Sequence, residues 1–264
     1  MFKKIIYEAI KYCNNDLKER YGFDIDYSGA TLCSCFIFGN LLYVLNLGDC
    51  KIVLGSYNMN FNIWKSKLIT KMHNPDVISE NKRILAHKGR IEKLKNEFGE
   101  EYGSSLVFDK DPDLQIPGLP MSRTIGDIAS LKLGITYEPD LDIYEIFSND
   151  KILICGSDGF WKFINEKDAI DFVGKYYEAK VSCEEAGKNL IELVKNNKKL
   201  KKYSNDGISE EVENTGRHKL KKNTIHNNWQ VENRKQFNKR EKEKNKMYVQ
   251  GEDITCMILY LETE

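Results

Sequence analysis

Four aspartates stand in short glycine-containing turns: Gly48-Asp49, Gly126-Asp127, Ser157-Asp158-Gly159 and Gly251-Glu252-Asp253. At least three of these turns adjoin an apolar run of strand type. Carboxylates at strand ends, brought together by a fold, make a site for hard cations such as Mg²⁺ and Mn²⁺, which choose oxygen ligands. Taken singly, each aspartate reads equally well as a turn-stabilising residue, and Arg123 and Asp127 read as a structural pair. Jointly the balance changes. Carboxylates gathered at one end of a sheet repel each other, at a cost on the order of several kcal/mol, unless a cation neutralises them. A divalent ion does so and acidifies a bound water; two ions about 3.5–4 Å apart can hold a hydroxide for in-line attack on phosphorus. A Ser–His–Asp or Cys–His arrangement is not legible. There are four histidines, His73, His87, His218 and His226, and the last two fall in a polar, Lys/Asn-rich stretch.

The elements that must carry the aspartates follow from local pattern. Residues 2 to about 18 place Phe2, Ile5, Ile6, Ala9, Ile10, Cys13 and Leu17 at helical spacing. Thr31 to Phe38, the turn Gly39-Asn40 and Leu41 to Leu47 predict a tight hairpin. Lys51 to Ser56 predicts a third strand, which sets Asp49 at a sheet rim. Asn74-Pro75 predicts a helix start, with Asn74 as N-cap and an end near Gly89. Residues 95 to 120, rich in Gly and Pro, read as irregular. Lys151 to Cys155 predicts a buried strand leading into Asp158, with Phe160 and Trp161 as walls. Asn165 opens a helix, and Ser182 with Glu185 opens another as a capping box. Met257 to Leu261 is the last strand, just after Asp253.

The 264 residues carry no net charge, but residues 198 to 246 hold fifteen Lys/Arg against seven Asp/Glu, so the rest of the chain is acidic. An acidic body suits cations better than nucleic acid. The segment at about 196–250 is Lys/Asn-rich, with isolated apolar residues; it predicts a disordered insertion in a single domain spanning 1–264. Its alternatives are a solvated loop or a basic arm for RNA or an acidic partner. The seven cysteines are odd in number, lack C-x-x-C spacing and lie largely in apolar runs. They read as reduced core thiols in a cytoplasmic or nuclear protein. Cys33-x-Cys35 is a weaker candidate for metal. Nothing reads as a signal peptide or membrane span.

Seven blocks, in order, resemble the metal-dependent serine/threonine protein phosphatases of type 2C. Ser28-Gly29-Ala30-Thr31 resembles S-G-x-T, and Asn46-Leu47-Gly48-Asp49-Cys50-Lys51 resembles N-x-G-D-S-R. Leu68 to His73, with Glu80, Arg83, Ile84 and Gly89, resembles L-T-x-D-H…E-x-x-R-I…G-G. Gly118 to Asp127 resembles G-L-x-x-S-R-x-x-G-D, and Glu138-Pro139-Asp140 resembles E-P-D. Ile152 to Trp161 resembles L-I-L-A-S-D-G-L-W, and Glu252-Asp253-Ile254-Thr255 resembles D-N-x-T.

The resemblance implies an α+β fold: a central β-sandwich of two antiparallel sheets flanked by helices. It implies hydrolysis of phosphoserine and phosphothreonine in proteins by a metal-activated water, with no side-chain nucleophile. Asp158 and Asp253 would be direct ligands of a Mg²⁺ or Mn²⁺ pair, and Asp49 would serve a third, weaker ion. The match places Arg123 and Asp127 near the centre, and gives His73 a structural role. The family's D-G-H-G-G block and its upstream phosphate-gripping Arg have no counterpart here. Fewer ions, and a fold lacking the usual first strands, are therefore expected. The chain could be an incomplete phosphatase, a half-site completed by another chain, or a phosphatase-like binding module without activity. An open sheet edge would then favour self-association. The expected partner is a phosphoprotein, with neither nucleic acid nor membrane.

Overall fold

A computed structural model describes residues 2–21, 24–113, 116–205 and 254–261. It divides into two units, residues 1–198 with 253–264, and residues 199–252. The described part of the second unit is residues 199–205, the end of a helix.

The centre of the first unit is two antiparallel sheets. The first has the order β10 (Asp140–Glu145), β3 (Leu41–Leu47), β2 (Leu32–Phe38). The second has the order β12 (Cys256–Tyr260), β11 (Asp150–Gly156), β4 (Lys51–Asn58), β5 (Ile63–Leu68). Alternation along each strand explains the layering. Ile52, Leu54 and Leu153 meet Leu42 and Val44 between the sheets, with Cys33, Cys35 and Cys155 packed alongside. Val53, Ile152 and Ile154 point the other way. They pack under α3 (Asp158–Trp161), α4 (Glu166–Glu178) and α5 (Cys183–Asn205), against Phe160, Ile170, Val173, Leu190 and Val194. Two antiparallel sheets flanked by helices are what the sequence predicts.

The helix α1 (Phe2–Tyr21) also forms as its periodicity requires. It buries Ile10 and Asn14, whose Oδ1 accepts from the Gly126 backbone N–H at 2.8 Å, while Ile5 stays exposed. Gly126 belongs to β9 (Ile125–Gly126), which pairs with β1 (Gly29–Ala30). Asn165 caps α4, its Oδ1 accepting from the Asp168 backbone N–H at 2.8 Å. Ser182 caps α5 in the same way, at 3.3 Å from Glu185 N–H.

Three expectations need correction. The helix α2 covers Ile78–Ala86, not a stretch beginning at Asn74. The Asn74 side chain instead accepts from Asp76 N–H at 3.1 Å, closing a local turn before the helix. The Gly/Pro-rich stretch is not irregular: β6 (Arg90–Lys95), β7 (Glu101–Phe108) and β8 (Pro117–Leu119) form a third sheet, seated on Ile84, Leu133 and Ile135. Leu133 closes the short 3₁₀ turn Ile128–Leu133. Finally, α5 runs to Asn205, past the point where the Lys/Asn-rich insertion is expected to begin; residues 206–250 lie outside the described residues.

At the sheet margins, β2 and β12 are the last strands in their orders. Phe36, Ile37 and Phe38 on β2, and Met257 and Leu259 on β12, are exposed.

Candidate active site

Strand register brings two of the four aspartates together. The strands β11 and β4 are antiparallel, and their last pair is Gly156 with Lys51. Two residues beyond that pair, Asp158 follows Gly156 and Asp49 precedes Lys51, so the antiparallel register brings both to one rim, near enough for the Asp158 charge to act on Asp49. Two contacts hold the rim in place. The Trp161 indole N–H donates to the Lys51 carbonyl at 3.2 Å, tying α3 to the start of β4. Lys51 Nζ meets Glu166 at the start of α4, at 2.7 Å. Asp158 is exposed at the first position of α3, whereas Asp49 is half-buried in the β3–β4 turn.

The pair is under electrostatic tension. Burial, and then the nearby Asp158 carboxylate, push the Asp49 pKa up to about 6. Two carboxylates so placed fit a divalent cation, whose charge relieves both causes at once. The folded state holds the Asp49 proton more tightly than the unfolded chain. Ionising Asp49 therefore costs stability, and the cost grows as pH rises from about 4 to about 6 and then levels off. An Asp49→Asn variant is accordingly expected to melt at a higher temperature than the parent at pH 7 without metal. The gap should close at pH 4. A parent that is equally stable at both pH values, with the variant no better, would contradict the tension.

The remaining predicted residues separate. Asp253 lies outside the described residues. Thr255, two residues on, exchanges bonds with Ser157: Ser157 N–H donates to its carbonyl at 3.0 Å, and its own N–H donates to Ser157 Oγ at 3.2 Å. Asp127 is buried, with left-handed backbone (φ 47°), and accepts from Thr124 Oγ1 at 3.0 Å. Its pKa is raised by burial. Gly29 leaves room for it, since a Cβ there would stand 1.9 Å from Asp127 Oδ2. The expected Arg123–Asp127 pair does not form, because Arg123 has stronger partners.

Those partners make a buried ionic network that the sequence reading assigned no role. Glu80, 1% exposed, takes both forks of Arg83 at 2.9 and 2.6 Å. It also takes Arg123 at 3.1 and 2.8 Å and Ser122 Oγ at 2.6 Å. Burial alone would raise the Glu80 pKa, but the bonds from Arg123, Arg83 and Ser122 outweigh it and hold it at about 2. Arg123 continues to Asp140 at 3.2 Å, and Asp140 Oδ2 lies 3.5 Å from His73 Nε2. The His73 interaction, partly offset by burial and aided by Arg123, holds Asp140 well below the usual carboxylate range. His73 Nδ1 accepts from the Gly48 N–H at 3.1 Å, which leaves Nε2 to carry the ring proton toward Asp140. The chain of contacts ends on the residue before Asp49. His73 is thus a positioning residue, as expected. The E-x-x-R spacing of Glu80 and Arg83 was the available signal for the rest.

Among the described residues, no three His, Cys, Asp or Glu side chains converge as a metal cluster. The third predicted carboxylate, Asp253, is not among them.

Comparison with known proteins agrees with the fold. The family model for protein phosphatase 2C matches residues 3–199, and the chain belongs to that family. It is 31% identical over 191 residues to a probable protein phosphatase 2C 64 of Oryza sativa subsp. japonica, covering 72% of this chain and 42% of that protein. It is 31% identical over 198 residues to a probable protein phosphatase 2C 73 of Arabidopsis thaliana, covering 74% and 50%. The chain thus spans about half the length of the curated relatives it matches. Among solved structures, a serine-threonine phosphatase 2C from Toxoplasma gondii superposes with TM-score 0.63 at 20% identity, covering 78% of this chain and 63% of that one.

Proposed function

We propose that the chain forms part of a Mg²⁺/Mn²⁺-dependent protein phosphatase acting on phosphoserine and phosphothreonine. The observation that carries the reading is the register-enforced facing of Asp49 and Asp158, with Asp49 driven to about 6 by burial and its neighbour. Family membership supports the reaction class. Asp158, Asp49 and Asp253 would hold the cation; the hydrogen-bonded Ser157–Thr255 junction supports including Asp253. When bound, the cation supplies Lewis acidity, lowering the pKa of a water and neutralising phosphate charge. The protein's own part is to orient. Trp161 and Lys51 fix the distance between the two turns, His73 fixes Gly48, and Phe160 and Trp161 exclude water beneath α3.

Measuring Mn²⁺-dependent hydrolysis of a phosphothreonine peptide tests this. Asp158→Ala is expected to lose on the order of a hundredfold in rate, about 2.7 kcal/mol at tenfold per 1.36 kcal/mol. Equal rates for parent and variant would remove the role given to Asp158.

A second reading, a phosphatase-like binding module, draws on the donor count: two described carboxylates face each other, and no third described ligand joins them. Titration calorimetry separates the two, since micromolar binding of two ions favours the enzyme. The exposed apolar margins of β2 and β12 support self-association as part of either reading. The seven thiols, none in a disulfide, support a cytoplasmic or nuclear setting. No helix among the described residues is long and apolar enough to cross a membrane.

A further inference from the structure

Two thiols meet across the sandwich. Cys33 is on β2 of the first sheet and Cys155 on β11 of the second, and their sulfurs are 3.8 Å apart. Both are half-buried thiols, and they are 122 residues apart in sequence. We propose that Cys33 and Cys155 are a peroxide-oxidisable pair that closes a disulfide between the two sheets.

Three features of the pair support this. The first is reach. A disulfide needs sulfurs about 2.05 Å apart, so they must close by roughly 1.8 Å, within what two χ1 rotations and a small shift of an edge strand supply. The second is access. Cys33 lies on the outermost strand of its sheet order, and neither Cys33 nor Cys155 is a fully buried residue. The third is asymmetry within the pair. The contact between the two sulfurs draws the Cys155 pKa below its ordinary value and raises that of Cys33. Cys155 is therefore the thiolate that reacts first, and Cys33 is the resolving thiol.

The chemistry balances with a hydroperoxide as oxidant. The Cys155 thiolate attacks one peroxide oxygen. An S–O bond forms, the O–O bond breaks, and the departing hydroxide takes a proton to become water. Cys33 then attacks the sulfenic sulfur as its own proton leaves. The S–S bond forms, the S–O bond breaks, and a second water departs. Two thiols are oxidised and one hydrogen peroxide is reduced to two waters. The product ties β2 to β11 three residues before Asp158, clamping the two sheets at the end that carries the aspartate rim.

Mass spectrometry on the intact 264-residue chain tests the pair. The protein is treated with a few equivalents of hydrogen peroxide, alkylated with N-ethylmaleimide, digested without reductant and sequenced by fragmentation. The expected result is a mass loss of two hydrogens and a cross-linked peptide joining Cys155 to Cys33, reversed by dithiothreitol. Because Cys35 sits two residues from Cys33, a Cys35→Ser variant should keep the cross-link and a Cys33→Ser variant should lose it. In Cys33→Ser, Cys155 should instead be captured by a sulfenic-acid reagent. Oxidised parent protein should also melt higher than reduced protein, since the link closes a long loop of the unfolded chain. A parent in which Cys33 and Cys155 both remain fully alkylated while other cysteines oxidise would overturn the proposal. So would a cross-link from Cys155 to Cys35, Cys50 or Cys256. The parent's peptide map alone decides the matter if the variants fold poorly.

Discussion

Replacing Glu80 by alanine is expected to cost about 3–5 kcal/mol of folding stability, the penalty for breaking a buried ion pair from one side. The carboxylate answers two guanidinium groups and a serine hydroxyl from a position 1% exposed. Without it, Arg83 and Arg123 keep their charges in a half-buried site and lose their common anion. Bonds from Arg83 to the Gly134 and Ser122 carbonyls, and from Arg123 to Glu138 O and Asp140, compensate for part of the loss but supply no replacement for the Glu80 charge. Glu80→Gln should fare nearly as badly, since it restores shape but not charge. For a folded region of this size the melting temperature should fall by roughly 10 °C. The pH dependence gives a second reading of the same residue. The Glu80 pKa is depressed to about 2, so its contribution is complete above the unfolded carboxylate value near 4.5 and drains away as pH falls toward 2. The parent's stability should therefore drop across that window more steeply than the variant's. Urea unfolding at pH 7 and pH 3 reads both effects. The exposed Glu184–Lys188 pair on α5 is the control, and its removal should leave the midpoint where it was. A Glu80→Ala protein within 1 kcal/mol of the parent would mean that the network is ornamental.

The network also marks where sequence reading stops. The hairpin of β2 and β3 was legible because Gly39-Asn40 separates two apolar runs, and that pairing forms with Phe38 opposite Leu41. The facing of Asp49 and Asp158 was legible in outline because both follow or precede apolar strands at a glycine. Only the β11–β4 register makes them partners, and register is a tertiary fact. Other features depended on competition that a local pattern does not reveal. Arg123 stands four residues from Asp127, yet Glu80, 43 residues away, offers two oxygens at hydrogen-bond distance and wins the guanidinium. Asn74 has the chemistry of an N-cap, but Asp76 takes its side chain first. The third sheet was hidden because β6 sets Ile91 and Leu94 three residues apart among charges, off the period of two that marks a strand, and β8 is three residues, Pro-Gly-Leu. Such strands are made by their partners: Val107 and Phe108 are buried, pair with Leu119 and Pro117, and carry the sheet. Asp158 was read at the end of a strand and is the first residue of a helical turn, where the N-terminal dipole favours its charge.

Phe160→Ala is expected to destabilise the protein by about 3–5 kcal/mol and to weaken Mn²⁺ binding as well. The ring is fully buried and meets the Trp161 ring edge-on, with centroids 4.7 Å apart. It is also what keeps position 156 a glycine: a Cβ there would come within 2.5 Å of the Phe160 ring. Removing the ring opens a cavity directly under α3, and the surrounding strands β4 and β11 are too well paired to collapse into it. The first residue of α3 is Asp158, so the cavity loosens one side of the aspartate rim while leaving the Asp49 turn, held by His73, in place. Stability and metal affinity should then fall together in Phe160→Ala. In Phe160→Leu, which fills more of the volume, both losses should be smaller. An exposed phenylalanine, Phe98 at 88%, gives the contrast, and its alanine variant should stay within about 0.5 kcal/mol of the parent. Urea unfolding with unchanged m-value, paired with Mn²⁺ titration calorimetry, measures the two quantities on the same samples. If Phe160→Ala lost the expected stability but bound Mn²⁺ as tightly as the parent, the hydrophobic seat beneath α3 would be holding the fold without holding the rim, and the placement of Asp158 would have to come from the strand register alone.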